Sequence, residues 1–407
     1  MNLTLIRWID FYLGRPLCLL LSLILKIIPR RTMASAPRRI LLIQLSEMGA
    51  TLLAYSAIKR LGQAHPRAQL FFLTFKRNTE SVELLRLIPS HQILTIRDAS
   101  ADAFCRDTLK VILRLRRLRF DIVYDLELFS RFSALLTGLS RAPRRAGFDN
   151  GTEEGLYRGR LLTHPVLYNT HLHMRLNFLA LIETALAAPE PPPQFKQPVT
   201  DLPLEVPAFS FRPDTLAVYR KPLAPHKKTL VVNPHAGDLL PIRHWGIDRF
   251  ARVIAVCLRE LDMNVVLIGL ANARDDARFI LNHVGRHAAL IDLIGKTKTV
   301  SDLIHVIQVG DVFLTNDSGP AHFATLTDTP SIVLFGPETP RLYAPISPNS
   351  QSIYHTFHCS PCLTAKNHRR TLCRDNQCLK HISPEEVIQR IQQMTTNPPT
   401  SPPKNLQ

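Results

Sequence analysis

The feature that most constrains this chain is a series of short, almost unbroken apolar runs, each closing on a polar or glycine-containing turn. In the first half these runs are Arg39 to Leu45, Gln69 to Thr74, His91 to Ile96 and Phe120 to Asp125. In the second they are Thr229 to Asn233, Asn264 to Gly269, Asp311 to Thr315 and Pro330 to Phe335. Strands buried on both faces read as continuous apolar runs, whereas half-exposed strands alternate. With segments of helical character between them, including Ala50 to Leu61 after the SEMG turn and a helix starting near Ile247, the pattern predicts parallel α/β structure in both halves.

The division between the halves is compositional. The PEPPP stretch, Pro189 to Pro193, opens an interval that stays proline-containing to Pro213, and Pro222 to Lys228 follows. Proline fixes φ and removes a donor, so regular structure is interrupted here. The expected organisation is a membrane-associating segment with a basic linker over 1–37, an α/β domain over 38–213, a second over 214–394, and a disordered proline-rich tail over 395–407. At 407 residues and 45% hydrophobic content the chain can fill two cores, and 31 prolines against 16 glycines argue for stiffened connections.

Fifty Lys and Arg against 33 Asp and Glu give a formal charge of +17, which favours anionic partners without identifying them. The basic residues accompany no readable nucleic-acid module, so nucleic acid ranks last. Leu17 to Leu25 is nearly all apolar, but Arg15, Pro16 and Lys26 interrupt the roughly 20-residue length of a spanning helix. Trp8, Phe11 and Tyr12 suit an interface, and Lys26, Arg30, Arg31, Arg38 and Arg39 suit anionic head groups, the pattern of a monotopic or re-entrant anchor. A single pass is a second reading, and leucines packed on the protein's own body a third. Either membrane reading leaves the body in the cytoplasm, because positive flanks stay inside. The arginines of Cys105 to Arg119 read as a solvated helix face or as a phosphate site.

Two segments carry chemistry at strand ends, where open α/β sheets hold ligands. NPHAGDLLPIRHW places Asn233, His235, Gly237 and Arg243 after a strand; it is neither a P-loop nor a G-x-G-x-x-G fingerprint, but Arg243 has the donors to neutralise a diphosphate. In FLTNDSGPAHFA, Asn316, Asp317, Ser318 and Gly319 follow a strand and lead into a helix, with His322 on the same turn. Such a junction offers N–H groups to phosphate oxygens, although Asp and Ser also serve as ordinary caps. VLFGPETPRLYAP adds Glu338, Thr339 and Tyr343 at another strand end, placed for a sugar or base.

These motifs, in this order, resemble the donor-binding domain of glycosyltransferase family nine, which contains bacterial lipopolysaccharide heptosyltransferases, and ILLIQLSEMGATLLAYSAI resembles its acceptor-domain opening. The likeness covers about Arg38 to Gln392. It implies a GT-B architecture of two Rossmann-like domains and inverting transfer from a nucleotide sugar, ADP-heptose among the candidates, without a required cofactor or catalytic metal. By resemblance, Arg243 takes the place of a family lysine near the donor phosphates, while Asp317, Ser318, Gly319 and His322 match a D-T-G-x-x-H donor motif; Asn233 and Glu338 join the donor set. The family's catalytic aspartate after S-x-M-G is here Ala50. Glu47, in the same turn, is the candidate general base, or else a helix-start carboxylate; Asp125 and Glu127 rank behind it.

Cys359, Cys362, Cys373 and Cys378 form a C-x2-C-x10-C-x4-C array that could bind structural zinc, pack as thiols or stabilise an acceptor loop, and His355, His358, His368, Arg369 and Arg370 make the segment basic. The expected function is glycosyl transfer to a lipopolysaccharide core or related anionic glycolipid at the cytoplasmic face of the bacterial inner membrane. A relative using another nucleotide sugar, and a degenerate nucleotide-sugar-binding protein marked by Ala50, are the alternatives.

Overall fold

A computed structural model describes residues 10–29, 31–32, 36–128, 130–149, 157–187, 205–237, 240–367 and 369–396. The PEPPP stretch, Trp8, Arg30, His368 and all of the expected tail beyond 396 lie outside them. The chain forms two compact units: Met1–Glu205 with Ala365–Arg369, and Val206–Thr364 with Arg370–Gln407.

The first unit holds a six-stranded sheet: β1 (Arg39–Ile43), β2 (Gln69–Phe75), β3 (Ile93–Ile96), β4 (Ile122–Asp125), β5 (Arg144–Asp149) and β6 (His164–Leu167). All pairs are parallel, in the order β3-β2-β1-β4-β5-β6. The central strands are mostly apolar, as strands buried on both faces are; Ile40 to Ile43 are completely buried. Under one face Leu41, Ile43, Leu73, Val111, Leu115, Phe120 and Val123 form a continuous core. The second unit repeats the plan with β7 (Thr229–Asn233), β8 (Asn264–Leu267), β9 (Leu290–Asp292), β10 (Val312–Asn316), β11 (Ser331–Leu334) and β12 (Ser350–Ile353), again all parallel, in the order β12-β11-β10-β7-β8-β9. Each order reverses direction beside its first strand, β1 or β7, and that switch point is where open α/β sheets bind ligands.

Four strands, β5, β6, β9 and β12, are not singled out by the apolar-run reading: β5 contains two arginines, β9 is only three residues long, and β12 reads SQSI. The helix expected over Ala50 to Leu61 is two, Met48–Leu53 and Tyr55–Ala64, and the last helix, Pro384–Thr396, runs two residues into the expected tail.

The expected membrane-associating helix is corrected. The helix Gly14–Ile27 has 14 residues, about 21 Å at 1.5 Å per residue against a hydrocarbon core of about 30 Å. No helix among the described residues is long and apolar enough to cross a membrane. One side of this helix is instead packed on the first unit, where Cys18 meets Ala134 and Leu161. The Ser22 hydroxyl donates to the Cys18 carbonyl (2.6 Å) and accepts from the Arg160 amide (2.8 Å). Gly159 makes the close approach possible: its φ is +74°, and a Cβ there would lie 2.5 Å from the Ser22 hydroxyl. At the helix's N-terminal end the Arg131 guanidinium, itself buried, pairs with Asp10 and donates to the Tyr157 carbonyl (2.8 Å).

Candidate functional site

In the second unit the polar residues expected from sequence gather at the carboxyl ends of β7, β10 and β11. Asn233, the last residue of β7, is buried, and its side-chain amide donates to the Thr315 hydroxyl (3.1 Å), the Ser318 hydroxyl (3.3 Å) and the His235 carbonyl (3.1 Å). Asn233 is thus a strut between two strand-end turns. Ser318 stands at the start of the helix Gly319–Phe323, but its hydroxyl makes no cap bond; it meets Thr315 instead (3.1 Å). Asn316 forms the second strut, donating to the Pro234 carbonyl (2.8 Å) and accepting from the Trp245 amide (3.0 Å). Four uncharged side chains therefore satisfy the backbone and one another where two buried turns meet, as buried polar groups must.

On this neutral frame sit three charged groups. Arg243 ends a short turn, Pro241–Arg243, which Asn376 holds by donating to the Ile242 (2.9 Å) and His244 (2.7 Å) carbonyls. From there a guanidinium nitrogen of Arg243 reaches Asp317 at 3.4 Å. Asp317 and Glu338, the latter four residues past the end of β11, are buried and hydrogen-bonded to each other. Burial disfavours both carboxylates and raises both: Glu338 is pushed up to about 8 by desolvation and then by the charge of Asp317, with Arg243 pulling the other way. Two buried carboxyls this close resist both being ionised, and Arg243 is the cation that offsets their charge. Gly237 follows the β7 turn with φ +82°, a conformation that favours glycine, and open space faces both it and Gly319.

His322 lies buried in the helix Gly319–Phe323. Of the β11-end residues, Thr339 caps the next short helix by accepting from the Arg341 amide (3.3 Å), and Tyr343 is buried. His235, a weaker sequence signal, contacts the Asp276 carboxylate at 2.8 Å and stands edge-on to His244 with ring centres 4.5 Å apart. Asp276 follows no motif and could not be paired with His235 from sequence.

The first unit has its own strand-end turn. After β1 the SEMG turn is held by Glu127, whose carboxylate accepts from the Leu45 amide (2.6 Å), the Ser46 amide (2.9 Å) and the Ser46 hydroxyl (3.1 Å). Glu127 is anchored in turn: its amide donates to Asp125 (3.1 Å), which is completely buried, accepts from the Ser133 hydroxyl (2.9 Å) and is paired with the buried Arg158. Desolvation pushes Asp125 up to about 6 in spite of that arginine. Both carboxylates are structural supports of the turn. Glu47 is free of this framework. It is the residue before the helix Met48–Leu53 and makes no side-chain cap bond; its carboxylate pairs instead with Arg369, whose two terminal nitrogens contact both carboxylate oxygens, one at 3.4 Å. Ala50 lies in that helix, buried. Nothing about position 369 in sequence signals this contact.

The four clustered cysteines line a cavity of about 270 Å³ in the second unit, together with Pro337, Phe357 and Asn376. All four are free thiols. Among the described residues no group of three or more His, Cys, Asp or Glu side chains is arranged to hold a metal ion.

Comparison with known proteins places the chain in a family. In the curated collection the chain is 26% identical over 176 residues to lipooligosaccharide heptosyltransferase 2 of Campylobacter jejuni, covering 42% of this chain and 52% of that protein, so the chain spans about half the length of that relative. It is 24% identical over 329 residues to the lipopolysaccharide core heptosyltransferase OpsX of Haemophilus influenzae, covering 78% of this chain and 85% of that one. Among solved structures, the E. coli ADP-heptose lps heptosyltransferase II superimposes with a TM-score of 0.67 at 19% identity, over 88% of this chain and 98% of that one; at such identity the likeness is one of fold. The model of glycosyltransferase family 9 (heptosyltransferase) matches residues 108–372, a span that takes in β4 with its Asp125–Glu127 end, Asn233, Arg243, the Asp317 to His322 turn and Glu338, and on that match the chain belongs to glycosyltransferase family 9.

Proposed function

We propose that the protein is an inverting glycosyltransferase that moves heptose from an ADP-activated donor to a lipopolysaccharide core or a related anionic membrane glycolipid. The observation that carries this reading is the placing of Arg243, Asp317 and Glu338 on the neutral frame at the ends of β7, β10 and β11, within the span matched by the family. The relatives named above act, by their names, on lipooligosaccharide or lipopolysaccharide as heptosyltransferases.

In this reading the donor diphosphate is neutralised by Arg243, whose planar fork matches phosphate oxygens, and accepts from the backbone around Ser318 and Gly319. Binding exchanges the carboxylate partner of Arg243 for phosphate. The raised Glu338 leaves that corner of the site with less repelling charge than two ionised carboxylates would. Asn233 and His322 complete the walls, one as strut and one within the helix after the turn. In the first unit Glu47 removes the proton from the accepting hydroxyl. That oxygen then bonds to the anomeric carbon as the carbon–oxygen bond to the diphosphate breaks, its electron pair leaving on the nucleotide, and attack opposite the leaving group inverts the centre. Positioning and charge stabilisation by Arg243 supply the catalysis, with no metal required in the proposed step. The acceptor places the enzyme peripherally at the cytoplasmic face of the inner membrane, where nucleotide sugars and core glycolipid meet.

A mass-resolved transfer assay tests this, with a panel of nucleotide sugars and core glycolipid acceptors. Heptose gained by the glycolipid from ADP-heptose is the expected result. Transfer of a hexose or N-acetylhexosamine instead establishes the second reading, which the altered turn at Ala50 favours. Nucleotide-sugar binding with no transfer or hydrolysis across the panel sinks both.

A further inference from the structure

We propose that Arg369 is the acceptor-recognition residue of the first unit: its guanidinium takes over an oxyanion carried by the acceptor, a phosphate or a carboxylate, and that exchange releases Glu47 to act as the base. The inference rests on the reading of Glu47 as base and adds what controls it. As the structure stands, Glu47 is a poor proton acceptor, because both of its oxygens face the guanidinium fork and an opposite charge favours the ionised, unprotonated carboxylate. Some event has to separate the pair before the carboxylate can take a proton.

Three observations point to exchange by an anion. The first is that the support of Glu47 is independent of Arg369: the SEMG turn hangs on Glu127 through three hydrogen bonds, so the Glu47 backbone stays in place when its side chain is freed. The second is the demand of Arg369 itself. Its side chain is only 16% exposed and desolvation pushes it down to about 10, so leaving this cation without an anion beside it is costly. A phosphate or carboxylate answers that demand, with the planar fork matched to it. The third is the backbone. Arg369 sits at φ +52°, a left-handed conformation uncommon for a side-chain-bearing residue.

The test uses the full chain with a core glycolipid as acceptor, the same glycolipid after enzymatic dephosphorylation, and the same after reduction of its carboxylates, with wild type, Arg369→Ala and Arg369→Lys. In the wild type, removing the anion that Arg369 reads lowers kcat/KM about tenfold or more, and which treatment does so says whether the group is phosphate or carboxylate. In Arg369→Ala that preference collapses, and the acid limb of the kcat/KM profile moves to higher pH, because Glu47 has lost the cation that kept it ionised. Arg369→Lys, which keeps the charge and loses the fork, falls between. Added inorganic phosphate should inhibit the wild type competitively against the acceptor and have far less effect on Arg369→Ala. Wild type indifferent to both treatments overturns the proposal, and so does a folded Arg369→Ala, checked by its thermal midpoint and ADP binding, with preference and acid limb intact. If the alanine variant does not fold, the wild-type acceptor series and the lysine variant decide alone. Failure of the underlying reading looks different: Glu47→Gln would then turn over at the wild-type rate whatever Arg369 does.

Discussion

The two units share one strand order and build the turns beyond their strands from opposite materials. In the first, formal charge is part of the frame: Glu127 holds the SEMG turn, Asp125 holds Glu127, and the buried Arg158 holds Asp125. In the second, the frame is neutral, made of Asn233, Thr315, Asn316 and Ser318, and Arg243, Asp317 and Glu338 stand on it as a group. A charged frame fixes a turn firmly, because charge-assisted bonds are about twice as strong as neutral ones, but it leaves little charge free for a ligand. A neutral frame leaves the charges available. The first unit is therefore suited to presenting one paired carboxylate, Glu47 with Arg369, and the second to holding the donor diphosphate.

The largest effect that separates the units is on turnover. Glu47→Gln should lower the transfer rate about 100- to 10,000-fold, the usual worth of a positioned base, while ADP affinity measured by calorimetry stays at the wild-type value. Equal turnover would move the base to another residue, and lost ADP affinity would tie Glu47 to donor binding. Next comes Arg243→Ala, with the opposite signature. ADP affinity should fall about 10- to 100-fold, the worth of a charged hydrogen bond, and Arg243→Lys should recover the charge but not the full bidentate contribution. Undiminished ADP affinity in Arg243→Ala would remove the phosphate role.

A third test strikes the neutral frame itself. Asn316→Ala strands the Pro234 carbonyl and the Trp245 amide, both tied to Asn316 at present, and should cost about 2 to 3 kcal/mol in denaturant unfolding. Ser133→Ala, which removes one of several partners of Asp125, should cost about 1 kcal/mol. Equal costs would mean that the charged frame is no better buttressed than the neutral one.

What was legible in the sequence follows the same division. Strands buried on both faces announce themselves, which is why β1, β2, β7, β10 and β11 could be read directly, whereas β5, with Arg144 and Arg145 inside it, and β12, reading SQSI, could not. Local turns were legible too, since Asp317, Ser318 and Gly319 are consecutive with the strand that carries them. Partnerships across the sequence were not. Glu47 and Arg369 are 322 residues apart, and Asn376 lies over 130 residues from the turn it holds. The N-terminal helix misleads for a related reason: its sequence does not say which side is covered, and only the fold shows Gly14, Cys18 and Ser22 buried on the first unit while Leu17, Leu20 and Ile27 stay exposed.

The last effect is on pH dependence, and it resolves the two units by range. Asp125 and Glu338 are both raised in the folded state by desolvation, to about 6 and about 8 from ordinary values of 3.8 and 4.5. A carboxyl raised on folding contributes stability in its protonated form, so that contribution is full below the unfolded pKa and lost as pH rises through the folded one. For Asp125 the loss is complete once pH has passed about 6; for Glu338 it continues to about 8. Between pH 6 and 8 the first unit's pair no longer contributes a slope, and the second unit's pair, Glu338 with the likewise raised Asp317, still does. Wild-type unfolding free energy should therefore fall across that range, by at most about 1.4 kcal/mol per pH unit for one proton, and Glu338→Gln should flatten it. Asp125→Asn should leave the slope above pH 6 as it was and change only the region below. A slope that survives Glu338→Gln would put the titrating group elsewhere, and one that vanishes in Asp125→Asn would assign the buried proton to the charged frame of the first unit instead of the ligand-facing carboxyls of the second.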